Sequence, residues 1–264
     1  MTARDLHLYL RSNCPWVSPE HTVDTFKAGD PETVVRGIAV SWMSRSATLR
    51  AAHEQGLNVF VTHEPTFWHH TEQSVPGTEV DRAQKEAWLK GTGMVVIRCH
   101  DMLDQMPGFG IQDSWAKWLG FEGHPFEQMD AYRRVYRIEP RSLTALAQEV
   151  AAKCAPIGQH WVEYVGEPDR QIERVGIGTG AIVGGVTVLA QYRDRGADAV
   201  LLTETTRWQD LAWAEDVGLA ILLIDHAVSE APSLRALAQH LVERYPDLPV
   251  RYLPAECPTR LALA

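Results

Sequence analysis

The segment TLRAAHEQGLNVFVTHE (Thr48–Glu64) aligns without a gap on VLAQYRDRGADAVLLTE (Val188–Glu204), pairing Leu49 with Leu189, Glu54 with Asp194, Gly56 with Gly196 and Glu64 with Glu204. Each copy reads as a helix closed by a glycine, followed by an apolar strand. Each also follows a Gly-Ile strand, Gly37-Ile38 in one half and Gly176-Ile177 in the other. Downstream, GMVVIRCHDMLD (Gly93–Asp104) resembles GLAILLIDHAVSE (Gly218–Glu230), so a strand ends in H-x-x-x-D in one half and in H-x-x-x-E in the other. Any two β-α-β units share helix and strand periods. Nothing in a generic unit demands the histidine and carboxylate endings, so the chain reads as an internal duplication.

Strands expected at Val34–Trp42, Asn58–Thr62 and Met94–Cys99 alternate with helices at Ala47–Gln55, Asp81–Leu89 and Gln112–Leu119. A middle stretch offers a strand at Tyr132–Ile138, a helix at Leu143–Lys153 and a strand near Trp161–Tyr164. Then come strands at Val175–Gly178, Ala199–Thr203, Ala220–Ile224 and Val250–Leu253, with helices at Val183–Arg195, Arg207–Val217 and Ser233–Tyr245 between them. Strands that are continuous apolar runs are buried on both faces, which is the habit of parallel sheets covered by helices. The fold class expected is α/β, with two similar, duplicated lobes of mostly parallel sheets and a metal site in the cleft between them. At roughly 150 residues per domain the chain accommodates one large or two modest domains. The halves divide near residue 130, as 1–130 and 131–264, with intertwining of the lobes allowed.

Composition narrows the function classes. The 264 residues are 45% hydrophobic and 22% charged, with Gly 19 and Pro 15, which excludes fibrous, low-complexity and disulfide-miniprotein chains. Lys+Arg 25 against Asp+Glu 34 gives a net charge of -9 with no basic run, so nucleic acid is not an expected partner. Cys14, Cys99, Cys154 and Cys257 stand singly, with neither C-x-x-C nor a nucleophile context, as expected of a reducing compartment. The charged N-terminus is not a secretory signal, and no apolar run approaches the roughly 18 residues of a membrane span. A cytoplasmic protein with no membrane partner is expected.

Three strands end in metal-ligand residue types: NVFVT runs into His63 and Glu64, VVIRC into His100 and Asp104, and AILLI into His226 and Glu230. Ligands of α/β sheets gather beyond the carboxyl ends of the strands. A helical turn after the strand puts His100 and Asp104, and likewise His226 and Glu230, on one face. Three imidazoles and three carboxylates exceed one open tetrahedral zinc site and suit two ions about 3.5–4 Å apart. Singly, each has a blander reading as a loop or core histidine, a helix cap or a solvated helix residue. Their recurrence at equivalent strand ends is what argues for a site. His69 and His70 read as a solvated loop or an outer contact, and Glu204 as the diverged counterpart of Glu64. The run GIGTGAIVGG (Gly176–Gly185) fits neither phosphate-loop pattern and reads as a tight strand-to-helix turn.

At these residues the sequence resembles the dinuclear-metal-centre family of GTP cyclohydrolase I type 2 homologues, also called Ngg-interacting-factor-three-like proteins. The family pattern of T-H-H-P, a later H-x-x-x-D and a C-terminal G-H-x-x-[ST]-E stands here as THEP (Thr62–Pro65), HDMLD (His100–Asp104) and DHAVSE (Asp225–Glu230). The resemblance implies a two-lobed α/β fold, two divalent ions in the cleft and a ring-shaped homohexamer. Carried over by position, the resemblance implies His63, Asp104, His226 and Glu230 as ligands, with Glu230 bridging and His100 a further ligand. Glu64 departs from the paired histidines, and carboxylates favour harder ions, so Mn, Fe, Mg and Zn all remain candidates. The activity expected is metal-dependent hydrolysis of a small phosphorylated or nucleotide-like substrate, with His100 as the proton-transferring catalytic group. The alternative is a non-enzymatic metal-binding scaffold or regulatory adaptor.

Overall fold

Gly56 and Gly196, paired by the repeat, both adopt the left-handed conformation, with φ of 75° and 81°. A residue bearing a Cβ enters that region only at a cost, so the same turn closes the helix in each half. The computed structural model in which this is seen describes residues 1–12, 14–121, 123, 125–180, 184–203, 208–255 and 257–262. Glu204 and the expected helix starts at Val183 and Arg207 lie outside the described residues. The chain forms two compact units, Met1–Gly110 with Ser233–Ala255, and Ile111–Pro232 with Glu256–Ala264.

In the first unit helix α1 (Ala3–Ser12) is followed by β1 (Phe26–Ala28), β2 (Ile38–Met43), α2 (Ser46–Glu54), β3 (Val59–Glu64), α3 (Glu79–Thr92), β4 (Val95–Arg98) and the single turn α4 (Asp101–Asp104). The second unit holds α5 (Ile111–Leu119), β5 (Glu127–Gln128), β6 (Arg134–Ser142), α6 (Leu143–Cys154), β7 (Glu163–Val165), β8 (Gln171–Ile177), α7 (Val186–Asp194), β9 (Ala199–Leu202), α8 (Trp208–Val217) and β10 (Ala220–Leu223). Helix α9 (His226–Arg244) begins there and passes at Ser233 into the first unit, which ends with β11 (Val250–Tyr252).

The fold is mixed α/β with two sheets. The first runs β1-β4-β3-β2-β11, parallel except for β1 at its edge. The second runs β5-β6-β8-β9-β10-β7, in which β8, β9 and β10 are parallel. Its flanking strands β5, β6 and β7 pair antiparallel. A short turn, braced by the Asp130 carboxylate on the N–H groups of Tyr132 and Arg133, joins β5 to β6, and so short a link permits only an antiparallel pair. The repeated segment supplies the helix and central strand of a parallel triplet in each unit, β2-β3-β4 and β8-β9-β10. Their inward residues, among them Phe60, Val96, Val200 and Ile221, have no exposed surface.

The repeated Gly-Ile has a packing cause. A Cβ on Gly37 would stand 2.7 Å from Leu57 Cδ2, and one on Gly176 would stand 2.6 Å from Tyr192 Cδ1. Each glycine makes room for a side chain of the unit that follows it, Leu57 between α2 and β3 and Tyr192 within α7. Buried Tyr192 also donates from its hydroxyl to Ile177 O at 2.9 Å. Gly176→Ala should therefore lower stability by about 1–3 kcal/mol through overpacking, read as a shifted urea midpoint at unchanged slope.

The start of α9 differs from the sequence expectation, and α1, β1 and β5 form where no element was expected. Helix α9 starts at His226 and not at Ser233, with Pro232 inside it, because Asp225 O accepts the N–H groups of Val228 and Ser229 and closes a first turn upstream of the proline. Helix α1 lies in the charged N-terminal stretch, burying Ala3, Leu6 and Leu10 along one face. Among the described residues no helix is long and apolar enough to cross a membrane.

Candidate metal centre

In the first unit the carboxyl ends of β3 and β4 emerge side by side, because Thr62 pairs with Arg98 and Cys99 N–H donates to Thr62 O at 2.8 Å. The next residues along each strand are His63 with Glu64, and His100. After His100 the chain turns into α4, where Asp104 N–H donates to His100 O at 2.9 Å and returns its carboxylate to the same place. His63 is buried, with Nδ1 3.2 Å from Cys99 O and Nε2 3.6 Å from Asp104 Oδ1. An Nδ1–H donating to that carbonyl leaves the Nε2 lone pair toward the carboxylate, the tautomer a metal-binding histidine uses.

His100 sits between the acids. Its Nδ1 is 3.0 Å from Asp101 Oδ1 and 3.4 Å from Asp104 Oδ2, and its Nε2 is 3.6 Å from Glu64 Oε1. Its ring stacks on that of His63 with centroids 4.5 Å apart, while His70 meets it edge-on at 5.0 Å. The donor atoms of His63, His100 and Asp104 lie within 4.8 Å of one another, as do those of Glu64, His70 and His100. Two groups of ligand type thus share one imidazole.

The frame beneath these donors is polar and buried. Arg98, without exposed surface, donates from Nε to His63 O at 3.0 Å, from a terminal nitrogen to His70 O, and lies 3.5 Å from Glu64 Oε2. Asp24 accepts the N–H groups of His100 and Met102, and its burial lifts its pKa to about 6 despite those donors. Burial alone favours a neutral imidazole, but hydrogen bonds to Asp101 and Glu64, with the charge of Asp104, outweigh it and raise His100 to about 10. A proton on His100 therefore stands where the surrounding carboxylates call for positive charge. A folded pKa above the unfolded 6.5 contributes stability that is complete below pH 6.5 and lost as pH rises toward about 10. Metal-free protein should lose on the order of a few kcal/mol across that window, and His100→Gln should flatten the profile in urea titrations at stepped pH.

In the second unit the H-x-x-x-E spacing forms as expected. His226 and Glu230 occupy the first turns of α9, with Nε2 2.8 Å from Oε1, and Glu230 is only 3% exposed, so it is not a solvated helix residue. Gly180 borders them: a Cβ there would stand 3.5 Å from His226 Nε2.

The adjacent histidines are both exposed; His70 joins the donor cluster, whereas His69 Nδ1 accepts from Thr71. Arg98, Asp24 and Asp101 were not among the residues the sequence pointed to. For Arg98 a signal exists, since it is the lone charge inside the apolar run MVVIRC (Met94–Cys99). Asp24 and Asp101 carry no comparable mark.

Comparisons with known proteins agree with this fold. The sequence pattern of Duf34/NIF3 (NGG1p interacting factor 3) matches residues 1–258, and the chain belongs to that family. It is 26% identical over 216 residues to the protein of Allochromatium vinosum called GTP cyclohydrolase 1 type 2 homolog, covering 81% of this chain and 79% of that protein. A protein of the same name from Clostridium perfringens is 23% identical over 222 residues, covering 82% and 81% of the two chains. Among solved structures, a hypothetical protein of Staphylococcus aureus matches with a TM-score of 0.80 at 18% identity, covering 100% of this chain and 99% of that one. Reduced HcgD from Methanocaldococcus jannaschii matches with a TM-score of 0.75 at 17% identity, covering 96% and 98%.

Proposed function

We propose that this chain binds two divalent ions and is a hydrolase for a small phosphorylated or nucleotide-like substrate. The observation that carries the reading is the pair of donor groups sharing His100, which offers imidazole and carboxylate atoms on both sides of one ring. His63, His100 and Asp104 would hold one ion, and Glu64 and His70 the other. His226 and Glu230 join the ligand set on the family resemblance of DHAVSE (Asp225–Glu230), with Glu230 as the bridging carboxylate.

Bound divalent ions would supply Lewis acidity and lower the pKa of water. The rest falls to the chain. Glu64, Asp104 and Glu230 bring three negative charges against the four positive charges of two ions, leaving the site near +1 and suited to a substrate that gains negative charge as it reacts. His100, braced by Asp101 at Nδ1, is the group that moves a proton when not fully engaged as a ligand. Arg98 fixes the backbone of His63 and His70 and the carboxylate of Glu64, so the donors do not reorganise during a cycle.

The relatives' name makes purine nucleoside triphosphates the first substrates to try. A phosphoester and nucleotide panel run with Mn, Fe and Zn added separately, beside an Asp104→Asn control, should give turnover with at least one metal that the control lacks. Metal near zero by elemental analysis, not restored by reconstitution, would sink the reading; metal present without turnover on any substrate favours the scaffold. Glu230→Gln should lose more metal than His69→Ala, because a bridging carboxylate serves two ions and His69 none. We also propose a homo-oligomer, a hexamer by resemblance, in the cytoplasm. Light scattering at micromolar concentration should give a mass above that of the 29.6 kDa chain, and a monomeric mass overturns the assembly.

A further inference from the structure

Away from the donor cluster, the first unit has a cavity of about 330 Å³ lined by α2, α3 and the loop after β3. That lies at the small end of the roughly 300–1,000 Å³ usual for small-ligand sites. Two indoles line it, Trp68 from the loop and Trp88 from α3, and each is paired with a cation. Lys85 Nζ is 5.5 Å from the centre of the Trp68 ring, and the Arg50 guanidinium carbon is 5.2 Å from that of Trp88. Lys85, one of the lining residues, is buried, and its Nζ donates to the backbone oxygen of Thr66 at 2.5 Å. Asp81 is the single acid in the lining, against these two cations.

Trp68 is held there at a conformational cost. It is 43% exposed, yet its backbone has φ of 63°, the left-handed region that a bulky residue avoids. The loop is fixed around it: Glu72, itself at φ 61°, accepts the N–H groups of Thr66 and Phe67 at 2.8 Å each. Strain of this kind persists where the surroundings enforce it, and it concentrates at ligand clamps. A loop that served only as a connection would relax by turning so exposed a ring into ordinary backbone geometry.

We propose that this cavity binds a planar aromatic anion, its ring stacked on Trp68 or Trp88 and its phosphate or carboxylate held between Arg50 and Lys85. Stacking on indole is tolerant of ring identity, and the paired cations select the charge. None of the proposed metal ligands lines the cavity, so the site stands whether or not the metal reading does.

Calorimetric titration of the full chain, stripped with EDTA and again with Mn added, tests this with adenosine 5′-monophosphate, benzoate, adenosine and inorganic phosphate as probes. Saturable binding of the monophosphate or of benzoate is expected, equal in both preparations. Phosphate and adenosine alone should bind at least about tenfold more weakly than the monophosphate, since each keeps only half of the recognition. A monophosphate tighter than benzoate marks phosphate as the anion, and the reverse marks carboxylate. Trp68→Gly, which takes the positive φ freely, and Arg50→Met are exposed positions that leave folding intact, and each should weaken the bound probe by at least about fivefold. Absence of saturable binding by both aromatic probes overturns the proposal. So does binding that persists unchanged in both variants, or binding that appears only with Mn and is lost in Asp104→Asn but not in Arg50→Met.

Discussion

Arg98→Met is expected to lower the unfolding free energy of the metal-free protein by about 3–5 kcal/mol, the range for removing one partner of a buried ion pair. The guanidinium has no exposed surface and lies 3.5 Å from Glu64 Oε2 and 4.0 Å from Glu72 Oε1, while donating to the backbone oxygens of His63 and His70. Methionine fills the space and leaves those acceptors without their donor. Urea titration reads the change, and a loss below about 1 kcal/mol would mean that water or a rearranged loop replaces the guanidinium. The double variant Arg98→Met with Glu64→Gln should recover part of the loss, because the carboxylate left behind is then neutral.

The second large effect is on metal stoichiometry. Glu64→Ala should drop content from about two ions per chain to about one, because Glu64 is assigned to only one of the two proposed ions. Unchanged stoichiometry would show that another residue completes that shell. Glu64→His, which restores the paired-histidine form, should shift relative affinity from Mn toward Zn in competition titrations. Judged from sequence, Glu64 adds a negative charge to the site. In the fold Arg98 sits against that carboxylate and offsets it, so the shift toward Zn should follow the softer donor rather than net charge.

Much of the candidate site is visible before folding. His63 and Glu64, His100 and Asp104, and His226 and Glu230 all stand at strand ends, and the i,i+4 pairs fall on single helical turns as their spacing requires. The three expected strands around the first repeat form within a few residues of their predicted bounds, because continuous apolar runs have no alternative to full burial. His70 was not separable from His69 by sequence, since both follow Trp68 in one polar loop. Only the path of that loop, pinned by Arg98 and Glu72, turns one ring toward His100 and the other toward solvent.

The duplicated helix-strand units, the glycines that close their turns, and the metal-ligand residue types at the strand ends are all written in the chain's local order. Those features are local: backbone conformation at Gly56 and Gly196, burial of apolar runs and helical spacing depend on neighbours a few positions away. The tertiary structure alone decided which acids surround His100, because Asp24 and Glu64 reach it from other parts of the chain. It also decided that a buried arginine offsets Glu64 and that Trp68 and Trp88 line one cavity. Electrostatics and cavity shape depend on distances through space between residues far apart in the chain, and no pattern along one strand or helix encodes them.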